Sequence, residues 1–301
     1  MKIMLRTWSI TSKQNIELDL ADSLSLDAVT RQLPDGYYST FRTYAGCRRV
    51  LGLKAHLRRI YAPVTSSDVR ASFLRHQLIQ LLEHFHPDEA RVRVITTKQG
   101  QVYAAAEPLK LLPAEVYEKG VRVETTHIHR DSPRLKSTAF IGASDSERRH
   151  IAREGIFEAL LVKNGSILEG MTSNFFYTLP ERSEERSLRR AQTKDVSSHT
   201  APMLSREREV LCTAQRGILL GVTRRTVIHL ARGRGVEVKY QPLKLDQLSD
   251  VDEALITSSS RGVVPVTQID ENTVGQGSPG SIARMLMRAY NEYVLKHAEM
   301  I

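Results

Sequence analysis

The sequence predicts a mixed α/β fold that is divided into two domains. Apolar residues alternate with polar ones in several short segments, as in strands, and recur at helical spacing in others. The two kinds of segment are mixed along all 301 residues rather than separated into blocks. A passage at 107–120 that contains Pro108 and Pro113 is the predicted crossing between domains. We therefore expect a small N-terminal α/β domain at 1–112 and a larger domain at 113–301.

The first elements of the N-terminal half are two predicted strands. Tyr38–Tyr44 and Val50–Leu53 lie on either side of a predicted turn at Ala45-Gly46. Asp68 is the predicted N-cap of a helix that ends at Pro87, because an apolar stripe follows it at helical spacing. The stripe consists of Leu74, Leu78, Leu81, Leu82 and Phe85.

The remaining elements continue the mixed pattern. Val92, Val94 and Thr96 alternate with Arg91 and Arg93, which predicts a half-buried strand. Further strands are predicted at Val121 and Val123, Phe157–Val162, Asn174–Thr178, Val236–Tyr240 and Glu253–Thr257. Further helices are predicted at Asp145–Glu154, after Gly221-Val222-Thr223, and near the C-terminus, where Ile282, Met285, Leu286, Ala289 and Tyr293 form an apolar stripe.

One segment, at 181–195, has a different composition. It carries four acidic and five basic side chains with hardly any apolar residue between them, and the polar run continues to His199. Because the charges nearly cancel, we interpret 181–199 as a solvated insertion in the second domain rather than as an arm that binds nucleic acid.

The composition narrows the class of protein and the class of partner. The formal net charge of +9 favours anionic partners, but the basic residues are scattered, so we expect no nucleic-acid face. No apolar run is long enough for a membrane helix or a secretory signal, and two cysteines cannot form a disulfide scaffold, so we expect a cytoplasmic protein. The pairs His127-x-His129 and His84-x-His86 lack a third ligand, so we expect no metal.

Five short motifs carry the information about chemistry. They are His56-Leu-Arg-Arg-Ile60, Pro133-Arg-Leu-Lys-Ser-Thr138, Ile167-Leu-Glu-Gly-Met-Thr-Ser-Asn174, Gly217-Ile-Leu-Leu-Gly-Val-Thr-Arg224, and the run 252–266 with Ser258-Ser259-Ser260. In order and spacing they resemble the class IV aminotransferases, which are pyridoxal-phosphate enzymes of fold type IV. The resemblance covers roughly residues 36–290. It implies the two-domain architecture of that fold type and pyridoxal 5'-phosphate as the cofactor.

The resemblance also implies the two residues closest to the chemistry. A desolvated lysine is both a nucleophile and a base, and by resemblance Lys136 forms the Schiff base with the cofactor and moves the substrate proton. A carboxylate beside a pyridine nitrogen keeps that nitrogen protonated, and Glu169, 33 residues after Lys136, matches the residue with this role.

The remaining site residues are implied in the same way. The backbone amides of Val222 and Thr223 precede a helix, and with the Thr223 hydroxyl they match a phosphate cradle. Arg59 rather than Arg58 matches the arginine that binds the same phosphate, and Ser259 matches a phosphate-binding hydroxyl. For the substrate, Ser260 is expected to bind the carboxylate and Tyr38 is expected to line the pocket.

The substrate is less closely defined than the cofactor. Phe140 and Ile141 stand where several family members have a tyrosine, and the strand at 91–100 lacks the runs typical of branched-chain and D-amino-acid enzymes. We expect amino transfer from an amino acid to a 2-oxo acid, with branched-chain L-amino acids and 2-oxoglutarate as the first candidates. Aminodeoxychorismate lyase activity is one alternative, and a non-catalytic scaffold that binds anions or nucleic acid is another. A homodimer is expected by analogy.

Overall fold

Two β-sheets with packed helices form the part of the chain that the structure describes. This computed structural model describes residues 4–20, 25–180 and 210–301. The charged segment that we interpreted as an insertion, 181–199, lies outside the described residues. Within the described ranges, one sheet has seven strands and the other has ten.

The first sheet contains the N-terminal strands and the last strand of the chain. Its order is β17-β4-β3-β5-β6-β1-β2, and all of its neighbouring strands are antiparallel. The strands are β1 (Arg6–Ile10), β2 (Asn15–Leu18), β3 (Gly36–Tyr44), β4 (Arg49–Val50), β5 (Ala90–Thr97), β6 (Val102–Pro108) and β17 (Glu299–Met300).

The second sheet is mixed. Its order is β12-β11-β10-β14-β15-β7-β8-β9-β13, with β16 paired to β15, and β7 is parallel to both of its neighbours. The strands are β7 (Val121–Thr126), β8 (Glu158–Lys163), β9 (Ser166–Gly170), β10 (Asn174–Thr178), β11 (Val210–Cys212), β12 (Glu237–Lys239), β13 (Leu243–Lys244), β14 (Glu253–Ser258), β15 (Gly262–Ile269) and β16 (Asn272–Thr273).

Helices cover parts of both sheets and enclose separate apolar cores. The described helices are α1 (Leu26–Gln32), α2 (Leu53–Tyr61), α3 (Ala71–Leu82), α4 (Ala114–Lys119), α5 (Ala139–Ala143), α6 (Asp145–Arg153), α7 (Val222–Gly233) and α8 (Ser281–His297). Helices α2 and α3 pack on the first sheet around Phe41, Leu57 and Leu78. Helices α7 and α8 pack on the second sheet around Phe176 and Leu286. No helix of the described residues is long and apolar enough to cross a membrane.

Two element boundaries predicted in the N-terminal half are wrong: the end of a strand and the start of a helix. The strand predicted at Val50–Leu53 stops at Val50, because Leu53 already begins α2, whose buried residues recur at helical spacing. Helix α3 begins at Ala71 with Arg70 as its N-cap, not at Asp68, since Val69 is buried in the core before the helix starts. The helix ends at Leu82, and a 3₁₀ turn at 83–85 follows it before Pro87.

Strand β5 is more buried than its alternating sequence predicts. Arg93, on the polar face, is only 3% exposed. Its guanidinium donates hydrogen bonds to Thr40 Oγ1 at 3.0 Å and to Thr30 Oγ1 at 2.8 Å. Buried polar groups require such partners, and here helix α1 and strand β3 supply them. The polar face of β5 is therefore part of an internal wall.

Candidate active site

Every candidate site residue predicted from the sequence lines one cavity of about 300 Å³. Residues of both sheets line it, together with the N-terminus of α7. The predicted residues in its lining are Tyr38, Arg59, Lys136, Glu169, Val222, Thr223, Ser259 and Ser260. Residues separated by up to 222 positions in the chain thus meet in one site, although the roles expected for them remain predictions.

Lys136 lies on the short segment that precedes α5 and is fixed through its backbone. Its carbonyl oxygen accepts a hydrogen bond of 2.9 Å from the backbone N–H of Tyr38 in β3. The adjacent residue, Ser137, forms an isolated bridge with Tyr37. The Lys136 Nζ lies 4.9 Å from the centre of the Tyr38 ring. The first sheet therefore fixes the backbone at Lys136, although this lysine comes after the 107–120 passage in the sequence.

The surroundings of Lys136 favour its neutral amine. Burial lowers the pKa of Lys136 well below its usual range, and the nearby guanidinium groups of Arg59 and Arg130 lower it further. No hydrogen bond or ion pair involves Nζ within the described ranges. A neutral lysine amine without a partner is a nucleophile toward an aldehyde.

Glu169, on β9, has a carboxylate that is almost fully enclosed. One oxygen accepts a hydrogen bond from Arg130 Nε at 3.1 Å, and the other accepts from the Leu219 backbone N–H at 3.0 Å and from Asn174 Nδ2 at 3.3 Å. Burial raises the pKa of Glu169 to about 7, although the positive charge of Arg130 and the Leu219 bond oppose this rise. The group can therefore hold or release a proton near neutral pH.

Arg130 is a site residue that the sequence reasoning missed. Its guanidinium stacks 3.9 Å from the centre of the Phe140 ring while it pairs with Glu169. Phe140 is one of the two residues that replace the tyrosine of several family members. No local pattern marks Arg130, because its partner lies 39 positions away on another strand. Asn174, by contrast, stood at the end of a motif already noted, so its position gave a usable signal.

The N-terminus of α7 forms the anion-binding end of the cavity. Gly221 is the N-cap and the first turn holds no acidic residue, so its free N–H groups and the helix dipole favour an anion. The Thr223 hydroxyl lies 3.5 Å from Ser259 Oγ. Thr223 lies inside the first turn, so it is not the capping residue.

Arg59 reaches the same end of the cavity from α2. Its Nη2 donates to the Leu220 carbonyl at 2.8 Å, just before the start of α7. Burial lowers the pKa of Arg59 to about 10, with repulsion from Arg225 as a further cause, so the guanidinium stays charged at neutral pH. Arg58, the neighbouring arginine, is exposed.

The backbone at Gly221 approaches its neighbours too closely for a side chain. A Cβ placed on Gly221 would lie 2.2 Å from Asn174 Oδ1. Asn174 in turn donates to the Leu219 carbonyl at 2.7 Å and to Glu169. One asparagine thus links the turn before α7 to the Glu169 carboxylate.

Further charged residues line the cavity on the wall formed by β5, α1 and α6. Arg93 pairs with Asp27 at 2.7 Å, and Arg148 pairs with the other oxygen of Asp27 at 2.9 Å. Arg91 and Arg261 also line the cavity. The sequence reasoning singled out none of these as site residues, because the strand pattern of β5 does not show which of its faces is internal.

The polar groups of the cavity fit a phosphorylated pyridine aldehyde. Lys136 offers an amine for the aldehyde, Glu169 a carboxylate for a ring nitrogen, and the α7 N-terminus with Arg59 a cradle for the phosphate. The Thr257 hydroxyl and Arg130 Nη1 are buried polar atoms without a hydrogen-bond partner, and such atoms indicate a missing ligand or water. Among the described residues, no group of three or more His, Cys, Asp or Glu side chains could hold a metal.

Such a fold and site define an enzyme that uses pyridoxal 5'-phosphate. The family model for amino-transferase class IV matches residues 36–269. The chain belongs to the class IV aminotransferases, and it is a pyridoxal-phosphate-dependent aminotransferase of this class.

Relatives with different named activities match most of the chain. A D-alanine aminotransferase of Bacillus licheniformis is 25% identical over 281 residues, which cover 88% of this chain and 89% of that protein. An aminodeoxychorismate lyase of Bacillus subtilis is 26% identical over 283 residues, with 86% and 85% covered. The structure of a branched-chain aminotransferase from Thermoproteus uzoniensis with norvaline has a TM-score of 0.71 at 18% identity and covers 98% of this chain and 96% of its own. The structural match supports the fold, and the three proteins carry names of different activities.

Proposed function

We propose that the enzyme moves an amino group from an amino acid to a 2-oxo acid, with Lys136 as the residue that bonds covalently to the cofactor. One observation carries this proposal: Lys136, the Glu169 carboxylate and the α7 anion cradle line a single cavity. The α7 anion cradle is the N-terminus of α7, with Val222 and Thr223, together with Arg59 and Ser259. When bound, pyridoxal phosphate supplies an aldehyde that takes up the amino group and a ring that accepts electrons from the substrate α-carbon.

Lys136 acts as the base of the reaction. Because burial favours its neutral form, the free Lys136 amine would take the proton from the substrate α-carbon when the cofactor is bound. The same amine would then deliver the proton to the cofactor carbon that carried the aldehyde. The Tyr38 ring, 4.9 Å from Nζ, limits the positions that the free amine can occupy.

Glu169 would hold the proton at the pyridine nitrogen of the bound cofactor. Its two oxygens are fixed by Arg130, Asn174 and the Leu219 amide, so the carboxylate is oriented before a ligand arrives. A protonated ring nitrogen makes the ring a stronger electron acceptor, and Glu169 therefore supports the removal of the α-proton.

The anion cradle would hold the phosphate of the cofactor and thereby fix where its ring can lie. When the cofactor is bound, the amides of Val222 and Thr223, the Thr223 and Ser259 hydroxyls and the Arg59 guanidinium would bind its phosphate. Ser260 and Tyr38 line the adjoining space, where the substrate carboxylate binds. Since the phosphate takes no part in the chemistry, its contacts serve to position the ring.

A half-reaction tests the proposed amino transfer. Purified protein reconstituted with pyridoxal phosphate is mixed with single amino acids of both configurations, without a 2-oxo acid. A competent donor converts the visible band of the bound cofactor to the pyridoxamine form, and a 2-oxo acid restores the band. If no donor changes the band of the loaded wild-type protein, the proposal is wrong.

Aminodeoxychorismate lyase activity is the second candidate. The Bacillus subtilis relative with this name is as similar in sequence as the D-alanine aminotransferase, and the same lysine, Lys136, would act in that reaction. Incubation with aminodeoxychorismate separates the two candidates. Formation of 4-aminobenzoate and pyruvate favours the lyase, whereas its absence alongside a working half-reaction favours the transaminase.

The assembly and the domain division are part of the proposal. We propose a homodimer, since the family builds its sites near a dimer interface, and light scattering that gives a monomer mass would contradict it.

The proposed domains are 1–112 and 113–301. Limited proteolysis with cleavage concentrated between 107 and 120 would support the division.

A further inference from the structure

Two turns of the second sheet meet in the wall of the cavity. The β9–β10 turn is formed by residues 171–173, and the β14–β15 turn is formed by residues 259–261 and contains Ser260. Residues of both turns line the cavity. Between them, Arg261 Nη2 donates a hydrogen bond of 2.6 Å to Thr172 Oγ1. The two turns are therefore in direct contact through their side chains.

A buried carboxylate behind this wall binds both turns. Glu158, at the start of β8, is only 1% exposed and is not among the described residues that line the cavity. Its Oε2 accepts hydrogen bonds from Arg261 Nη2 at 2.8 Å, Thr172 Oγ1 at 2.5 Å and Ser173 Oγ at 3.2 Å. A buried carboxylate is costly unless it is paired and hydrogen-bonded. Arg261 supplies the opposite charge, and the two hydroxyls supply further donors.

Arg261 also fixes the turn in which it stands. Its backbone N–H and its Nε both donate to Ser258 Oγ, at 3.3 Å and 3.2 Å. Its guanidinium lies 5.1 Å from the centre of the Phe157 ring, which precedes Glu158 in the chain. The Tyr117 hydroxyl of α4 donates to the Arg261 carbonyl oxygen at 2.9 Å. Side chains from three separate parts of the chain therefore hold the β14–β15 turn.

The position of this turn bears on the binding of the substrate. The proposed function places the substrate carboxylate at Ser260, in the β14–β15 turn. A loop that must be ordered when a ligand binds reduces the affinity for that ligand, whereas a loop already held in place does not. The contact between Glu158 and Arg261 thus supplies order in advance.

We propose that Glu158 and Arg261 are positioning residues, which hold the β14–β15 turn in the conformation that binds the substrate carboxylate. This inference rests on the proposed amino transfer and on the carboxylate site at Ser260. The Arg261 guanidinium is already engaged by Glu158, Thr172 and Ser258. Its role is therefore to hold the turn rather than to bind the ligand.

Steady-state kinetics of two variants test this role. Glu158→Gln keeps the shape of the side chain and removes its charge, whereas Arg261→Met removes the guanidinium. Lys136 and the N-terminus of α7 are held by other elements. We therefore expect KM for the amino donor to rise about 10-fold, while kcat changes by less than about threefold. Arg261→Lys keeps one charged donor for Glu158 and should recover part of the affinity.

Titration calorimetry with butyrate gives a second measure that needs no turnover. Butyrate offers a single carboxylate to the enzyme loaded with pyridoxal phosphate, and its Kd should rise about 10-fold in Glu158→Gln and in Arg261→Met. The double variant should bind butyrate no more weakly than either single variant, because both changes break the same contact. Effects that add in the double variant would contradict a role shared by the two residues.

Glu253 provides the matched control. It is also a buried carboxylate of this sheet, at the other end of β14, and it accepts hydrogen bonds from the backbone N–H groups of Ile282 at 3.1 Å and Ala283 at 2.8 Å. Glu253→Gln should lower the Tm and leave KM and the butyrate Kd unchanged. An equal rise of KM in Glu253→Gln would show that lost stability alone explains the effect, and the proposal would be wrong.

A milder variant covers the case in which either change prevents folding, as judged by circular dichroism. Thr172→Val removes the hydroxyl that Glu158 and Arg261 share and keeps both charges. It should also raise the butyrate Kd, by about threefold. Wild-type affinity in a folded Thr172→Val would count against the contact between the two turns.

The remaining outcomes separate this inference from the proposed function. Weaker butyrate binding in Arg261→Met with wild-type binding in Glu158→Gln would show that Arg261 contacts the ligand directly, and would overturn the positioning role. Wild-type KM and Kd in both variants, or no butyrate binding to the wild-type enzyme, would also overturn it. A failure of every donor in the half-reaction would refute amino transfer, and the butyrate titrations would still decide whether the pair positions a carboxylate site.

Discussion

Arg130 and Glu169 form an ion pair with Nε and Oε1 3.1 Å apart, and their side chains are only 6% and 2% exposed. Breaking a buried pair by removing one partner is costly because the other charge remains without compensation. The Leu219 amide and Asn174 also bind this carboxylate, so its position is set by three separate parts of the chain. We conclude that Glu169 is held in a fixed orientation toward the cavity.

Replacement of Glu169 by glutamine should separate cofactor binding from catalysis. The amide has nearly the same shape but cannot hold a proton for the ring nitrogen, so we expect the cofactor to stay bound. Turnover should fall by a factor on the order of 100 or more, as for loss of a positioned acid or base. Steady-state kinetics and the bound-cofactor spectrum measure the two effects. Near-normal turnover in Glu169→Gln would remove Glu169 from this role.

The raised pKa of Glu169 predicts how the stability of the cofactor-free protein depends on pH. A carboxyl with a pKa of about 7 when folded and 4.5 otherwise binds more protons in the folded state between these values. Its contribution to stability is therefore most favourable below pH 4.5 and is lost as pH rises through 7, a change on the order of 3 kcal/mol.

Urea unfolding of the cofactor-free wild-type protein and Glu169→Gln, at pH values from 4.5 to 7.5, measures this effect. The free energy of unfolding of the wild-type protein should fall relative to that of the variant as pH rises. A difference between the two proteins that stays constant over this range would contradict the raised pKa.

Arg59 and Arg58 form a matched pair for testing the phosphate site. Arg59 reaches the turn before α7 from inside the cavity, whereas its neighbour is exposed. Loss of a charge-assisted hydrogen bond costs about 1.5–3 kcal/mol, so Arg59→Met should weaken pyridoxal phosphate binding roughly 10- to 100-fold. Arg58→Met should bind normally. Equal affinities of the two variants in a fluorescence titration would show that Arg59 does not contact the phosphate.

Gly221 should not tolerate even one added methyl group. A Cβ at this position would lie 2.2 Å from Asn174 Oδ1, so Gly221→Ala must displace Asn174 or the start of α7. We expect a lower Tm and weaker cofactor binding. Gly233→Ala is the control in the same helix, because a Cβ there meets nothing within 4 Å. A Gly221→Ala variant with the wild-type Tm and the wild-type affinity for the cofactor would show that Gly221 and Asn174 do not lie this close together in solution.

Local sequence patterns predicted the elements better than their boundaries. Strand Asn174–Thr178 and the helix after Gly221 were placed correctly, because a buried apolar run and a helical stripe are strong local signals. Leu53 was assigned to a strand although it begins α2. The reason is that a short apolar run fits either structure until the later stripe on α2 is taken into account.

The sequence predicted some residues of the candidate site, and only the structure reveals the others. Lys136, Glu169 and Arg59 stood in motifs, and the structure places them in one cavity. Arg130 and Arg91 could not be found, since their significance depends on partners from other strands. Arg91 in particular resembles any polar residue of an alternating strand, and only the packing of β5 shows that this face is internal.

Covalent labelling of the lysine tests the central claim most directly. The enzyme loaded with pyridoxal phosphate is treated with borohydride, which converts a bond between a lysine and the cofactor aldehyde into a stable amine, and peptides are mapped by mass spectrometry. We predict one phosphopyridoxyl group, on the peptide that contains Lys136, and none in Lys136→Ala at the same loading. Labelling of a different lysine, or persistence of the label in Lys136→Ala, would contradict the assignment.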